Sequence, residues 1–244
     1  MPLILKTNRF RWSASWSMTL LTAVAMAAFV RLGVWQWHRA QFKRAQQVQF
    51  DAGAQHVVPL DTTDADTLPR YAMVRVSGHY EPSRQFLLEN ISQHGLPGYE
   101  VLTPFAFADG HTLLVNRGWI AAAGMRSQLP DIELDQVDDT TIAGRLDDLP
   151  VVGLQLGHIP PGTDERWPKV TAFPTMADLS TALRRSLQRH QLLLSPDEPN
   201  GYDREWRLSD FGPGRHLSYA VQWWGFATLA LVLYAWLNID RQRA

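Results

Sequence analysis

The apolar positions of this chain are concentrated in two long runs, one near each end. The first run, Trp12 to Val30, contains 19 residues without a charge, and the second, Leu217 to Ile239, contains 23. A helix of 19 residues rises about 28 Å, close to the hydrocarbon thickness of a bilayer, about 30 Å. The chain therefore predicts two transmembrane helices between short tails: a tail at 1–11, helices at 12–37 and 217–237, and a tail at 238–244.

The first run continues past Arg31 into the segment LGVWQW, so its helix is extended to residue 37. The polar segment His38–Phe50 then extends the same helix beyond the membrane. Small residues at 25–28 could alternatively form the cleavage site of a secretory signal peptide. The WQWHR segment that follows suits the interfacial end of a retained helix better, because tryptophan is enriched where a span meets the headgroups. We therefore expect the first helix to be retained.

Between the two runs the hydrophobic pattern changes to a period of two. In residues 71–80, Val74, Val76 and Tyr80 fall on one face of an extended chain, and polar side chains occupy the other. Such alternation is typical of a half-buried strand. Similar patterns, with a hairpin signal at Asp109-Gly110, predict further strands at 84–89, 99–107, 112–120, 140–146 and 191–194.

One segment of this middle region has a helical period instead. Apolar residues at 176, 179, 183 and 187 lie on one helix face, and Thr175 with Asp178 forms a capping box at the start of residues 175–189. The segment 150–174, with five Pro and three Gly, has no assignable pattern. The region 38–216 is therefore predicted as an α+β domain, with an antiparallel sheet as its main body and one clear helix.

Composition excludes several classes of protein. The chain has no cysteine, which excludes disulfide scaffolds, thiolate metal centres and a catalytic thiol. Its 23 Lys and Arg balance 24 Asp and Glu, so there is no basic footprint for nucleic acid. No GxSxG, P-loop, GxGxxG or HExxH motif occurs, and the adjacent carboxylates Asp138-Asp139 and Asp147-Asp148 would point to opposite faces of a strand. We therefore predict that the protein is not an enzyme; a membrane-tethered enzyme with an unrecognised site stays an alternative.

Charge placement predicts the orientation of the chain. The two tails carry five Lys or Arg and one Asp, whereas the region 38–216 has 17 Lys or Arg and 23 Asp or Glu. Short basic tails stay in the cytoplasm, and long loops cross the membrane largely regardless of charge. We therefore expect both termini in the cytoplasm and the α+β domain outside it. Since no Arg-rich amphipathic leader precedes the first run, a bacterial inner membrane with a periplasmic domain fits better than a mitochondrial membrane.

A candidate site lies at the outer membrane interface. His216, Tyr219 and Trp223 have i, i+3, i+7 spacing and so share one face of the second helix. At a similar depth, the outer end of the first span carries Trp35, Gln36, Trp37 and Arg39. An imidazole could bind haem iron, aromatic rings could flank the macrocycle, and guanidinium groups could pair with the propionates. The alternative is an ordinary aromatic belt, because Trp, Tyr, His and Arg are common at this depth.

Four blocks of the sequence carry a resemblance to a known family. They are LGVWQWHRAQFK at 32–43, VRVSGHY at 74–80, GYEVLTPF with LLVNRGWI at 98–120, and HLSYAVQWWGFA at 216–227. In content and order these blocks resemble the surfeit locus protein 1 family, the assembly factors of haem–copper cytochrome oxidase. Ala121 and Trp224 depart from the family pattern, which usually has Pro and Phe there.

The resemblance implies a non-catalytic role in building the oxidase core subunit. It implies that this chain binds haem a transiently and helps to deliver it, with His216 as the ligand of the haem iron. Trp35, Arg39, Tyr219 and Trp223 are then pocket or helix-packing residues. The implied partners are the haem–copper oxidase core subunit, the haem a synthesis machinery and the lipid bilayer. The alternative is a structural scaffold that stabilises the nascent subunit without binding haem.

The NRGW block at 116–119 allows two interpretations. In the structural one, Gly118 permits a close approach of the backbone, Arg117 pairs with a buried carboxylate, and Trp119 packs in the core. In the functional one, these residues form a patch that faces a partner. We expect the structural role.

Overall fold

The computed structural model describes residues 3–7, 10–54, 56–60, 65–107, 110–122, 128–134, 138–150, 158–206, 208 and 212–241. The chain divides into two compact units, a helical unit of residues 1–48 with 208–244 and a sheet unit of residues 49–207. The α-helices are α1 (Trp16–Gly53), α2 (Met176–Leu183) and α3 (Pro213–Asn238). The strands are β1 (Leu3–Thr7), β2 (Phe10–Ala14), β3 (Val57–Pro59), β4 (Met73–Tyr80), β5 (Phe86–Gln93), β6 (Leu96–Phe107), β7 (His111–Ala121), β8 (Thr140–Asp147), β9 (Lys169–Thr171), β10 (Gln191–Leu194) and β11 (Ile239–Arg241).

Both long helices have the length and apolar composition of membrane spans. α1 has 38 residues and α3 has 26, which correspond to about 57 and 39 Å. Many of their large apolar side chains are exposed, among them Leu21, at 69%, and Trp236, at 70%. Lipid can cover such surfaces, whereas water would leave them as a large apolar patch. α1 also continues through residues 38–50, which confirms the predicted extension of the first helix.

Short strands flank the two long helices. β2 pairs antiparallel with both β1 and β11, so both ends of the chain contribute to one three-stranded sheet. Trp12 lies opposite Leu5 on one side and opposite Ile239 on the other. α1 therefore begins at Trp16, after the start of the predicted first span, because the preceding residues are paired as a strand.

Five strands of the sheet unit close into a ring. The eight-stranded sheet has the order β3-β4-β8-β10-β7-β6-β5-β9, and β4 also pairs with β6. β4, β8, β10, β7 and β6 therefore form a closed barrel, in which each of these strands has two neighbours. All five strands contribute to one buried apolar cluster, whose members include Val74, Phe105, Val115, Ile142 and Leu192.

The predicted fold class is confirmed: an α+β domain with a large sheet lies between two apolar terminal helices. Each strand predicted from alternation is present, although several are longer than predicted. The sheet is not wholly antiparallel, however, since β3–β4, β5–β9 and β7–β10 are parallel pairs. Parallel neighbours need a long connection, and the one between β7 and β10 contains α2.

Two of the sequence predictions extend beyond the described residues. Asp109 of the predicted hairpin turn lies outside them, while Gly110 has a φ of 81°, a conformation that glycine adopts readily in turns. Residues 151–157 of the unassigned segment also lie outside. Its remaining part contains β9 and a bridge between Ile159 and Ala172.

The helix α2 is shorter than the predicted segment 175–189. It ends at Leu183 because Arg184 adopts a left-handed conformation, with a φ of 57°, and its backbone N–H bonds to carbonyl oxygens of the preceding turn. Leu187 therefore lies beyond the helix, although it packs against the same buried cluster as Leu183. The helical spacing of apolar residues thus continues to Leu187, although the backbone leaves the helix after Leu183.

The capping box of α2 predicts a stability loss that depends on pH. The Thr175 hydroxyl accepts a hydrogen bond from Asp178 N–H and donates one to the Asp178 carboxylate. Burial opposes ionisation, but the bonds from Thr175 and the charge of His158 lower the pKa of Asp178 overall. A carboxylate with a lowered pKa stabilises the fold above its unfolded pKa, about 3.9, and this contribution is lost as the pH falls. We expect Thr175→Ala to lower the free energy of unfolding by about 1 kcal/mol at neutral pH and by less in acid.

Chemical denaturation of the full chain in detergent, followed by near-UV circular dichroism at neutral pH and at about pH 3, measures both differences. Thr181→Ala is the matched control, because the exposed Thr181 hydroxyl bonds to a carbonyl within α2 and does not touch the capping box. Equal losses for Thr175→Ala at both pH values would contradict the role of the carboxylate.

Candidate functional site

The two long helices of the helical unit pack against each other as an antiparallel pair. Side-chain contacts join them at three levels: Thr19 with Tyr234, Phe29 with Trp223, and Gln36 with His216. Residue numbers rise along α1 as they fall along α3, so the helices run in opposite directions. The packing places the beginning of α3 beside the middle of α1.

His216 and Gln36 form a hydrogen bond across this helix pair. His216 Nδ1 lies 2.8 Å from Gln36 Oε1, and the histidine is half-buried. An amide oxygen only accepts hydrogen bonds, so Nδ1 carries a hydrogen, and in the neutral ring Nε2 keeps its lone pair. Nε2 makes no hydrogen bond to any residue in the described part of the chain. The pair therefore leaves Nε2 as a potential metal ligand, while the ring is oriented from its other side.

A glycine allows the close packing next to this pair. Gly33 is buried, and a methyl group there would overlap the indole ring of Trp224. The same indole lies against Trp37, with ring centroids 6.2 Å apart. Small residues at helix interfaces in membranes let the backbones and large partner rings approach closely. Gly33 therefore accommodates Trp224, one helical turn before Gln36.

Adding a methyl group at Gly33 is expected to destabilise the helix pair. Gly33→Ala forces the Trp224 ring to shift, which we expect to cost about 1–3 kcal/mol of unfolding free energy. Trp224→Phe removes part of the overlapping ring, so Gly33→Ala should cost much less in that background. Unfolding with SDS in mixed micelles, followed by tryptophan fluorescence, measures the four chains of this double-mutant cycle. The same cost in both backgrounds would contradict the contact.

The other site residues predicted from the sequence differ in their surroundings. Trp35, Arg39 and Tyr219 are exposed, Trp35 by 54% and Tyr219 by 42%. Trp223 is half-buried, and its ring stacks on that of Phe29 with centroids 5.8 Å apart. Within the described residues, no hydrogen bond, ion pair or ring contact joins His216 to the three exposed side chains. Trp223 thus packs the helices together, and the exposed residues retain surface that a ligand can contact.

His216 is a residue of the helix pair that could bind the metal of a cofactor. Among the residues that the structure describes, no group of three or more His, Asp or Glu side chains could hold an ion. A bare ion needs several ligands from the protein, whereas a haem brings its own equatorial nitrogens and needs an axial ligand. His216 offers one imidazole, and Trp35 and Tyr219 expose aromatic rings on the same two helices.

The NRGW block is buried in the sheet unit. Arg117 is 2% exposed, and its guanidinium donates to Gln85 Oε1, Ile132 O and Asn200 O. The expectation of a buried carboxylate partner is therefore wrong in the described residues: neutral oxygens surround the cation, and burial lowers the pKa of Arg117. Arg117 instead joins three separate segments of the chain.

A later segment covers the same block. Gly118 has a φ of 106°, and a Cβ there would collide with the carbonyl group of Asp203, which confirms the predicted close approach. Trp119 N donates to Asp203 O at 2.7 Å, and the Arg117 guanidinium lies 4.9 Å from the centre of the Tyr202 ring. Trp119 is 6% exposed. The block therefore has the structural role, and the alternative of an exposed partner patch is wrong.

Gly33 and Gln36 belong to a block that carries the family resemblance, and Gln36 lies at the predicted depth of the candidate site, but the sequence does not predict their contacts with α3. Positions 33, 36 and 40 recur at helical spacing, and each is small or polar within an apolar helix. The structure buries Gly33 and Ala40 and half-buries Gln36. Which residue of α3 they meet depends on the register of the helix pair, which periodicity does not specify.

Comparisons with known proteins cover most of the chain. A sequence model of the SURF1 family matches residues 23–228, a range that includes Gln36, the sheet unit and His216. SURF1-like proteins of Mycobacterium bovis and of two strains of Mycobacterium tuberculosis, each named as uncharacterized, are 29% identical over 179 residues. The matched region covers 71% of this chain and 63% of each relative, so the chain spans less than two thirds of the length of these relatives.

Proposed function

The chain belongs to the SURF1 family, whose members are generally cytochrome oxidase assembly factors, and from this premise we propose that it binds haem a and assists its insertion into the oxidase core subunit. Its partners are then that subunit, the haem a synthesis machinery and the lipid bilayer. The observation that carries the proposal is the hydrogen bond between His216 and Gln36, which orients the imidazole so that Nε2 would be the atom that holds the haem iron.

The surroundings of His216 support haem a as the cargo. Trp35 and Tyr219 expose aromatic rings that can lie against an apolar macrocycle, and Arg39 exposes a guanidinium that can pair with a propionate. Trp223 packs on Phe29 and so holds α3 against α1. One imidazole holds iron less firmly than two, which suits a protein that must pass its cargo on.

Absorbance spectroscopy tests the proposal. The full chain, coexpressed with the enzymes of haem a synthesis and purified in mild detergent, is expected to carry a Soret band that His216→Ala removes. The alternative function is a scaffold that stabilises the nascent core subunit without haem. It predicts haem-free preparations, and co-purification with the subunit that persists after His216→Ala.

We further propose that the protein lies in a bacterial inner membrane, with both termini in the cytoplasm and the sheet unit in the periplasm. Two long apolar helices support membrane anchoring. The basic tails support this orientation, because positively charged short segments are retained in the cytoplasm.

A reporter inserted at Gly110 tests the orientation. Gly110 is exposed, and a side chain there would meet nothing within 4 Å, so an insertion should disturb the fold little. A phosphatase that folds only in the periplasm is expected to be active at Gly110 and inactive when fused after Ala244. Activity at Ala244 but not at Gly110 would reverse the topology and contradict the proposal.

A further inference from the structure

The sheet unit contains a cavity that has no part in the haem proposal. It has a volume of about 750 Å³ and lies between the Ser83-Arg84 turn, the loop 160–165 and the end of α2. We call it the α2 groove. Pockets for small molecules measure about 300–1,000 Å³ and combine an apolar wall with a few polar groups. The α2 groove has this size and this mixed lining.

The walls of the α2 groove are fixed by buried contacts. The side chain of Lys169 is 4% exposed, and its ammonium donates to the carbonyl oxygens of Gly162 and Asp164 and to the Asp164 carboxylate. These bonds use all three ammonium donors and hold the loop 160–165 against β9. The half-buried ring of Trp167 packs edge-on against Phe86, with centroids 5.3 Å apart. The groove is therefore formed before any ligand arrives.

Two arginines of the α2 groove have donors to spare. Arg84 and Arg184 are both exposed. Arg84 Nη1 donates to Leu183 O at 3.3 Å, and its other side-chain N–H groups have no partner among the described residues. The guanidinium of Arg184 makes no hydrogen bond or ion pair with any described residue. Arg84 contacts the carbonyl oxygen of Leu183, and Leu183 directly precedes Arg184, so both arginines line the groove beside the C-terminus of α2.

The acidic residues of the lining limit the charge that a ligand can carry. Asp164 is paired with Arg166 and Lys169, and Asp178 is bonded within the capping box of α2. Glu165 makes no such bond in the described part of the chain. It opposes a ligand with several negative charges, whereas one oxyanion can use the two arginines. A carboxylate and a phosphodiester each carry a single negative charge and present oxygens that two arginines can bind.

The backbone at Arg184 also needs explanation. A left-handed residue at the end of a helix is usually glycine or asparagine, because a longer side chain crowds its own backbone there. Arg184 occupies this position with a φ of 57°. Cations are favoured near a helix C-terminus, but that effect does not use the hydrogen-bond donors that Arg184 presents to the groove.

We propose that the α2 groove binds a singly charged organic oxyanion. Arg84 and Arg184 donate to its oxygens, since the planar guanidinium matches a carboxylate or a phosphodiester. The ring of Trp167 lies against its apolar body. The two possible sources of the oxyanion, a carboxylic acid and a phosphodiester, share this chemistry and differ in the oxygens that they present.

Nuclear magnetic resonance of the arginine side chains tests the proposal. The full chain, labelled with [¹⁵N]arginine in detergent micelles, is titrated with benzoate, diphenyl phosphate and acetate. The Nε–Hε signals of Arg84 and Arg184 are assigned by their loss in Arg84→Gln and Arg184→Gln. Arg189, which is exposed and does not line the groove, is the internal control, and Arg189→Gln is the matched variant.

Saturable shifts of Arg84 and Arg184, without a shift of Arg189, are the expected result. The tighter of benzoate and diphenyl phosphate identifies the class of oxyanion. Acetate lacks an apolar body and should bind about 10-fold more weakly. Arg84→Gln and Arg184→Gln should each weaken binding about 10-fold, whereas Arg189→Gln should leave it unchanged. If the shifts of Arg84 and Arg184 do not saturate up to about 10 mM of the added anion, or if Arg189 shifts equally, the anions pair only with surface charges. Either result would overturn the proposal.

Discussion

Replacing Arg117 with Ala is expected to lower the free energy of unfolding of the sheet unit by about 3 kcal/mol or more. The guanidinium joins β7 to the segments at Ile132 and Asn200, and it also donates to Gln85. Its removal leaves a cavity and takes a donor from each of these oxygens. Asn200 O is affected most, because its bond to Arg117 Nε, at 2.6 Å, is the shortest of the three. The cation also loses its contact with the Tyr202 ring.

Matched variants separate the hydrogen bonds from other effects. Arg117→Met retains most of the buried volume but none of the donors, so it should be nearly as destabilising as Arg117→Ala. Arg75→Ala removes an exposed arginine of β4 and should change stability by less than about 0.5 kcal/mol. Denaturation of the full chain in detergent measures all three. An Arg117→Ala protein as stable as Arg75→Ala would contradict the structural role of this block.

Replacing His216 with Ala is expected to remove most of the haem that purifies with the protein. Within the proposed function, Nε2 of His216 would hold the haem iron, and the exposed guanidinium of Arg39 and the exposed rings of Trp35 and Tyr219 would supply weaker contacts. We expect the affinity for haem a to fall more than 10-fold, about 1.4 kcal/mol or more. His38→Ala is the control, because His38 is also exposed near the end of the first span but has no place in the proposed site.

Gln36 should act on haem through His216. In Gln36→Leu the imidazole loses the acceptor that fixes its tautomer, so haem should bind less tightly but still be detected. Gln36→Glu retains an acceptor and should restore binding, with a lower reduction potential because a carboxylate makes the imidazole more electron-rich. Potentiometric titration measures this reduction potential, which would not change if the role of Gln36 were purely structural.

Local patterns predicted much of the sheet unit, but not its closure. Val74, Val76 and Tyr80 alternate along β4, so their burial on one face followed from the period of a strand. The pairing of β4 with β6 and the parallel pairing of β7 with β10 join segments far apart in the chain. No local period contains that information. The end of α2 depends on the single backbone conformation of Arg184.

The candidate site was also predicted only in part by local patterns. The spacing of His216, Tyr219 and Trp223 is sufficient by itself to predict a shared helix face. The partner of His216 could not be predicted, because it depends on how α1 and α3 slide and rotate against each other. That register also turns Trp223 toward Phe29. The role of these residues toward haem stays a prediction.

Pulsed electron paramagnetic resonance of the haem-loaded protein tests the proposed function most directly. The full chain is labelled with [¹⁵N]histidine, coexpressed with haem a synthesis and compared with His216→Ala prepared in the same way. We predict a hyperfine coupling between the ferric iron and one histidine nitrogen in the unmutated chain. This coupling should be lost in His216→Ala and should be unchanged in His38→Ala. A haem-free preparation, or a histidine coupling that persists without His216, would contradict the account.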